Sequence, residues 1–80
     1  MRLDEVRDLV VKHARLSATA DSLAPTTDLY GVGLSSLTTV HLMLALEDHF
    51  GVEFPDRLLS RKTFDSLQSI TEAIDELLAK

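Results

Sequence analysis

Ser36 is the residue of this chain best placed to be chemically modified. It sits in Gly33-Leu34-Ser35-Ser36-Leu37, a glycine approach that runs straight into an apolar stretch ending near Phe50-Gly51. Ser35 suits the N-cap of the helix this stretch predicts, and Ser36 then takes its first position. The first backbone N–H groups of a helix lack internal partners, and the helix dipole adds partial positive charge there. A phosphodiester built on Ser36 would meet both. That setting favours a serine that is modified over one that attacks a substrate. The same five residues also fit a plain structural cap, so the motif has to be weighed against the whole chain.

Catalysis lacks its parts. A general base for Ser36 must come within hydrogen-bond reach. His41 is five residues along, about 140° around the helix and about 7.5 Å up its axis. His13 and His49 belong to another segment and to the opposite end of the same helix. His41 and His49 lie two turns apart, too far to share one metal, and no His-x-x-x-His spacing occurs. Glu47-Asp48 and Glu53/Asp56 read as solvated surface carboxylates. The expectation is no catalytic residue and no metal site. The chain has no cysteine, so any thiol chemistry must come from an attached group.

The elements that position Ser36 come from length and periodicity. Eighty residues, 45% of them hydrophobic, make one domain over 1–80 with a single core. A net charge of −5, from 13 acidic and 8 basic residues, argues against a nucleic-acid partner. No apolar leader follows Met1-Arg2-Leu3-Asp4-Glu5, and the longest apolar run, Leu42 to Leu46, is far too short for a bilayer. A cytoplasmic monomer that binds no membrane is expected.

Leu3, Val6, Leu9, Val10, His13 and Leu16 recur at helical spacing and predict an amphipathic helix over 3–16. His13 reads as a boundary residue of it. A long loop over 17–35 comes next, with Pro25, Thr26, Thr27 and Asp28 as turn signals and Leu29, Tyr30, Val32 and Leu34 tucked onto the core. So long a loop in so small a domain hints at function. The second helix runs over 36–50 with Gly51 as its stop. Val52-Glu53-Phe54 is extended, and Pro55 suits a brief third helix through Leu59. The last helix has Thr63 as N-cap, with Phe64, Leu67, Ile70, Ile74, Leu77 and Leu78 on its apolar face. The fold class is all-α: a small irregular four-helix bundle with a short third helix.

On the second helix, Thr39, Leu42, Met43, Leu46 and Phe50 share one arc of roughly 100° and form the core face. Leu37, His41, Leu44 and Asp48 line the far side. Lone exposed leucines are ordinary. Two on one stripe beside a modifiable serine suggest a docking surface.

Gly33-Leu34-Ser35-Ser36-Leu37, followed by Val40, Leu42, Leu46 and Phe50-Gly51, resembles the phosphopantetheine-attachment region of acyl and peptidyl carrier proteins. The resemblance extends over the whole chain in length, helix order and long first loop, and it implies the acyl-carrier-protein type of bundle. It implies that Ser36 carries covalent 4′-phosphopantetheine, attached by a phosphopantetheinyl transferase, and that cargo rides on the arm as a thioester. The carrier itself would catalyse nothing. The usual family triplet is Asp-Ser-Leu, and Ser35 departs from it. True triplets at Asp21-Ser22-Leu23 and Asp65-Ser66-Leu67 lack the glycine approach; the second is expected within the first turn of the last helix.

Fatty-acid carriers have a strongly acidic second helix, where this one offers Thr38, His41 and His49. Gly33-Leu34-Ser35-Ser36, Leu42-Met43-Leu44, Glu53-Phe54-Pro55-Asp56 and the stretch from Leu58 to Phe64 are similar to stand-alone aminoacyl carrier proteins. That implies loading by an ATP-dependent amino acid:carrier-protein ligase resembling class II aminoacyl-tRNA synthetases. The alternatives are a carrier of fatty-acyl, polyketide or peptidyl cargo, and an unmodified helical interaction module.

Overall fold

In a computed structural model, which describes residues 2–14 and 22–79, the chain forms α1 (Arg2–His13), α2 (Ser36–Phe50) and α3 (Leu67–Leu78). Short 3-10 turns lie at Tyr30–Val32, Asp56–Leu58 and Arg61–Phe64, and there is no strand among the described residues. Leu16, placed on the first helix by its spacing, lies outside the described residues.

α1 packs on both α2 and α3. Val6 and Val10 of α1 meet Leu42 and Leu46 of α2 and Leu67, Ile70 and Ile74 of α3 in one core. Residues outside the α-helices complete it: Leu29 and Leu34 from the first loop, and Phe54 and Phe64, whose rings lie 5.5 Å apart. The first loop is tied to the start of α3 by backbone. Leu29 donates to the Asp65 carbonyl at 2.8 Å, and Gln68 donates to the Pro25 carbonyl at 2.9 Å.

Two helix assignments need correction. The last helix starts at Leu67 with Ser66 as its cap, so neither Thr63 nor Phe64 belongs to it and Ser66 is not within its first turn. In a continuous helix the Ser69 N–H would donate to the Asp65 carbonyl. That carbonyl is taken by Leu29, and Ser69 donates instead to the Ser66 hydroxyl at 3.1 Å. Thr63 closes a 3-10 turn on the Ser60 carbonyl, and Phe64 enters the core from that turn. Leu78, expected on the apolar face, is exposed in the last turn of α3.

The brief third helix is also not α-helical. Pro55 has extended geometry, and the Leu58 and Leu59 N–H groups each reach back three residues, to Pro55 and Asp56. Among the described residues the bundle therefore has three α-helices plus 3-10 turns where four helices were expected. The 3-10 turn at Arg61–Phe64 packs on α3, and Leu59, Ser60, Arg61 and Phe64 face the first half of α2 across a groove.

Candidate functional site

Gly33 has φ 117°, a left-handed conformation that suits glycine. Its N–H donates to the Tyr30 carbonyl, and the Leu34 N–H donates to the Leu29 carbonyl at 3.0 Å. Leu34 is buried, which anchors the chain one residue before the cap of α2. Ser35 then turns extended, at φ −116° and ψ 170°, and caps the helix. Its hydroxyl accepts from the Thr38 N–H at 3.2 Å, and the Thr38 hydroxyl accepts from the Ser35 N–H at 2.9 Å. This reciprocal box satisfies two backbone donors that would otherwise be orphaned. Threonine plays the part that glutamate or glutamine usually takes.

With the cap held by Ser35 and Thr38, Ser36 is left as the first residue of α2 and is exposed. No described residue hydrogen-bonds to its hydroxyl. The first turn of α2 carries no acidic side chain, so the positive end of the helix is not neutralised locally. An anionic substituent on this oxygen meets an electrostatically open site, which is the fit a phosphodiester requires.

Ser36 also lies on the rim of a groove of about 350 Å³ between α2 and the 3-10 segment. Thr39, Val40 and Met43 form one wall; Tyr30, Leu59, Ser60, Arg61 and Phe64 form the other. The Arg61 guanidinium stacks over the Tyr30 ring, 3.9 Å from its centroid. Tyr30 is positioned by Asp28, whose carboxylate accepts from the Tyr30 N–H at 3.1 Å.

The outward stripe lies where the helical wheel places it. Leu37 is 68% exposed and Leu44 54%, with His41 and Asp48 exposed on the same side. Leu42 and Leu46 are fully buried, and Thr39, Met43 and Phe50 are half-buried. Val40, at 48% exposure, extends the apolar part of the stripe, and Leu59, at 47%, continues it across the groove. Val40 was legible from its spacing to Leu37. Leu59, Tyr30 and Arg61 were not, because only the tertiary fold brings them beside Ser36.

Glu47, His49 and Ser66 each have a structural partner. Glu47, read as a surface carboxylate, is half-buried and accepts from the Phe54 N–H at 2.8 Å, which fixes the turn after α2. His49 reaches Glu5 of α1 at 3.2 Å and packs edge-on against Phe50. Ser66 is occupied as the cap of α3. Ser22 is exposed, but it leads into buried Leu23 and a turn, not into a helix; its neighbour Asp21 lies outside the described residues.

Comparison with known proteins places the chain in a family. A family model described as the phosphopantetheine attachment site matches residues 4–74. An aminoacyl carrier protein of Agrobacterium fabrum is 41% identical over 73 residues, covering 91% of this chain and 88% of that protein. An acyl carrier protein of Campylobacter hominis is 41% identical over 54 residues, 66% of each. Among solved structures, the Agrobacterium tumefaciens carrier protein complexed with an engineered Bradyrhizobium japonicum glycine:[carrier protein] ligase and ATP superposes with a TM-score of 0.87. It is 39% identical, and the match covers 92% of this chain and 97% of that one. The holo acyl carrier protein of Nitrosomonas europaea gives a TM-score of 0.88 at 26% identity, covering 100% and 99%.

Proposed function

The chain belongs to the phosphopantetheine-attachment family, and on that premise we propose that it is an aminoacyl carrier protein with its 4′-phosphopantetheine arm on Ser36. The arm supplies the thiol that the sequence lacks, on which an activated amino acid is held as a thioester. The chain's own residues present that arm. Ser35 and Thr38 fix the start of α2, buried Leu34 sets its height above the core, and Ser36 offers an unencumbered oxygen. The free hydroxyl of Ser36, next to a cap built from other side chains, is the observation that carries the assignment.

Leu37, His41, Leu44 and Asp48 are the proposed docking stripe, enlarged by Val40. A phosphopantetheinyl transferase attaches the arm, and an ATP-dependent amino acid:carrier-protein ligase loads it. Support for that ligase is the Agrobacterium tumefaciens carrier, solved with a glycine:[carrier protein] ligase. The chain acts as one cytoplasmic, monomeric, non-catalytic domain over 1–80, with the 3-10 segment standing in for the short helix of a four-helix carrier. Among the described residues no helix is long and apolar enough to cross a membrane.

Intact-protein mass after incubation with coenzyme A and a transferase tests the attachment. One phosphopantetheine increment is expected on the wild type and none on Ser36→Ala. An increment on Ser36→Ala would overturn the site. Incubation of the holo form with candidate ligases, ATP and amino acids then tests the cargo: acylation by fatty-acid enzymes but by no amino acid ligase would overturn the aminoacyl reading.

A further inference from the structure

The groove beside Ser36 is unequal in charge. Val40, Met43 and Phe64 make its walls apolar, and among the described residues no carboxylate lines it. The one ionised group among its described lining residues is Arg61, exposed and therefore at the rim. Among the described residues the ion pairs involve Arg2, Arg7, His49 and Arg57, so the Arg61 charge is not matched by a carboxylate. Its partner is the Tyr30 ring, which holds the guanidinium in place and leaves its charge intact.

A loaded arm has opposite charges at its two ends. Its root is an anionic phosphodiester. Its tip, when an amino acid is attached, carries an α-ammonium, since α-amino groups titrate at about 7.7–8.0. Entry of that tip into the groove would strip water from a cation, give it no carboxylate, and bring it towards a like charge. A tip without charge meets apolar walls and gains from burial.

We infer that Arg61 is a charge filter for the arm: it keeps an ammonium-bearing cargo out of the groove between α2 and the 3-10 segment, exposed to solvent, while the same groove admits a neutral acyl end. This rests on Ser36 carrying the arm. It deepens the aminoacyl reading, because a carrier that cannot shelter its cargo holds it where a second enzyme reaches it. Arg61 here is a positioning residue, acting on the arm and on no bond.

The test uses full-length protein loaded through coenzyme A analogues with hydrolysis-resistant amides of glycine and of N-acetylglycine. Mass spectrometry confirms each load, and methyl NMR of Val40 and Met43 reads the groove relative to the holo form. In the wild type, N-acetylglycine should shift both sets of methyls and glycine should leave them at their holo positions. Arg61→Glu should let the free amine in, so that glycine now shifts them. Arg61→Gln should lie between and covers any disturbance of the turn by glutamate, and Arg61→Lys should still exclude glycine. Equal shifts for both cargoes in the wild type, no shift for either, or a glycine form indifferent to Arg61→Glu and Arg61→Gln would each overturn the filter. Failure of the wild type to gain the mass would instead overturn the Ser36 assignment, and the filter with it.

Discussion

Two helices of this chain open on the same dipeptide, and it does opposite things in them. At α3, Ser66 is the cap: it is extended, at φ −153° and ψ 163°, its hydroxyl accepts from the Ser69 N–H, and Leu67 after it is fully buried. At α2, the cap is Ser35, so Ser36 falls one residue later and Leu37 points to solvent. A shift of one residue against the cap exchanges a tethered hydroxyl for a free one, and a core leucine for a surface one. The triplet Asp65-Ser66-Leu67 matches the usual attachment motif better by residue type, yet its serine is already in use. Register against the helix start, more than the local triplet, distinguishes the serine proposed for modification from the one that caps.

The sharpest way to break that comparison is an exchange of functions between the two serines. Ser36→Ala should lose all modification by coenzyme A and transferase, yet stay within about 0.5 kcal/mol of wild-type stability, as surface changes usually do. Ser66→Ala should keep full modification. Denaturant unfolding alongside intact mass separates the two effects, and a modified Ser36→Ala or an unmodified Ser66→Ala would contradict the register argument.

The leucines give the next largest contrast. Leu67→Ala opens a cavity in the core and should cost about 2–5 kcal/mol. Leu37→Ala should leave the unfolding midpoint almost unchanged but lower ligase loading, because truncating a docking anchor can cost more than about 1 kcal/mol of binding. Leu44→Ala should behave like Leu37→Ala. Loading kinetics on the holo variants check this; unchanged kinetics for both leucines would place the partner elsewhere.

Much of the geometry around the candidate site was legible in the sequence because its determinants are local. Gly33, Ser35 and the apolar arc from Thr39 to Phe50 lie within a few turns of Ser36, and α2 begins and ends where their types predict. The start of the last helix was misplaced where a distant segment decides. Thr63 and Ser66 are both acceptable caps, three residues apart, and the choice is made by Leu29 capturing the Asp65 carbonyl across the fold. Pro55 correctly marks a helical turn, but the turn closes only 3-10 bonds before Ser60 turns extended. The groove was illegible for the same reason, since Tyr30, Leu59 and Arg61 reach Ser36 only through packing of the first loop and the segment over 56–64.

A third measurement compares the caps themselves. Ser66→Ala removes the acceptor for Ser69, and Ser35→Ala removes one half of the box with Thr38; each should destabilise by about 1 kcal/mol. Ser35→Ala should still be modified on Ser36, because the hydroxyl that reacts is not the hydroxyl that caps. Loss of modification in Ser35→Ala with the fold intact would mean that the cap and the attachment site are not separable.

The smallest effect is expected from Ser35→Asp, which restores the usual family triplet at α2. Aspartate caps about as well as serine, and its carboxylate adds favourable charge at a helix start that has no acid in its first turn. The Thr38 hydroxyl lies 3.0 Å from the Ser35 hydroxyl and can donate to the new carboxylate while still accepting from the backbone of residue 35. In the apo form the change should therefore be neutral or stabilising, by a few tenths to about 1 kcal/mol. In the holo form the carboxylate stands next to the phosphodiester, two negative charges compete for the same helix end, and the gain should shrink or reverse. Thermal unfolding of the apo and holo pairs reads this difference directly. A gain that is the same in both forms would mean that the phosphate does not draw on the α2 terminus, and a loss in the apo form as large as that of Ser35→Ala would mean that the box cannot accept a carboxylate.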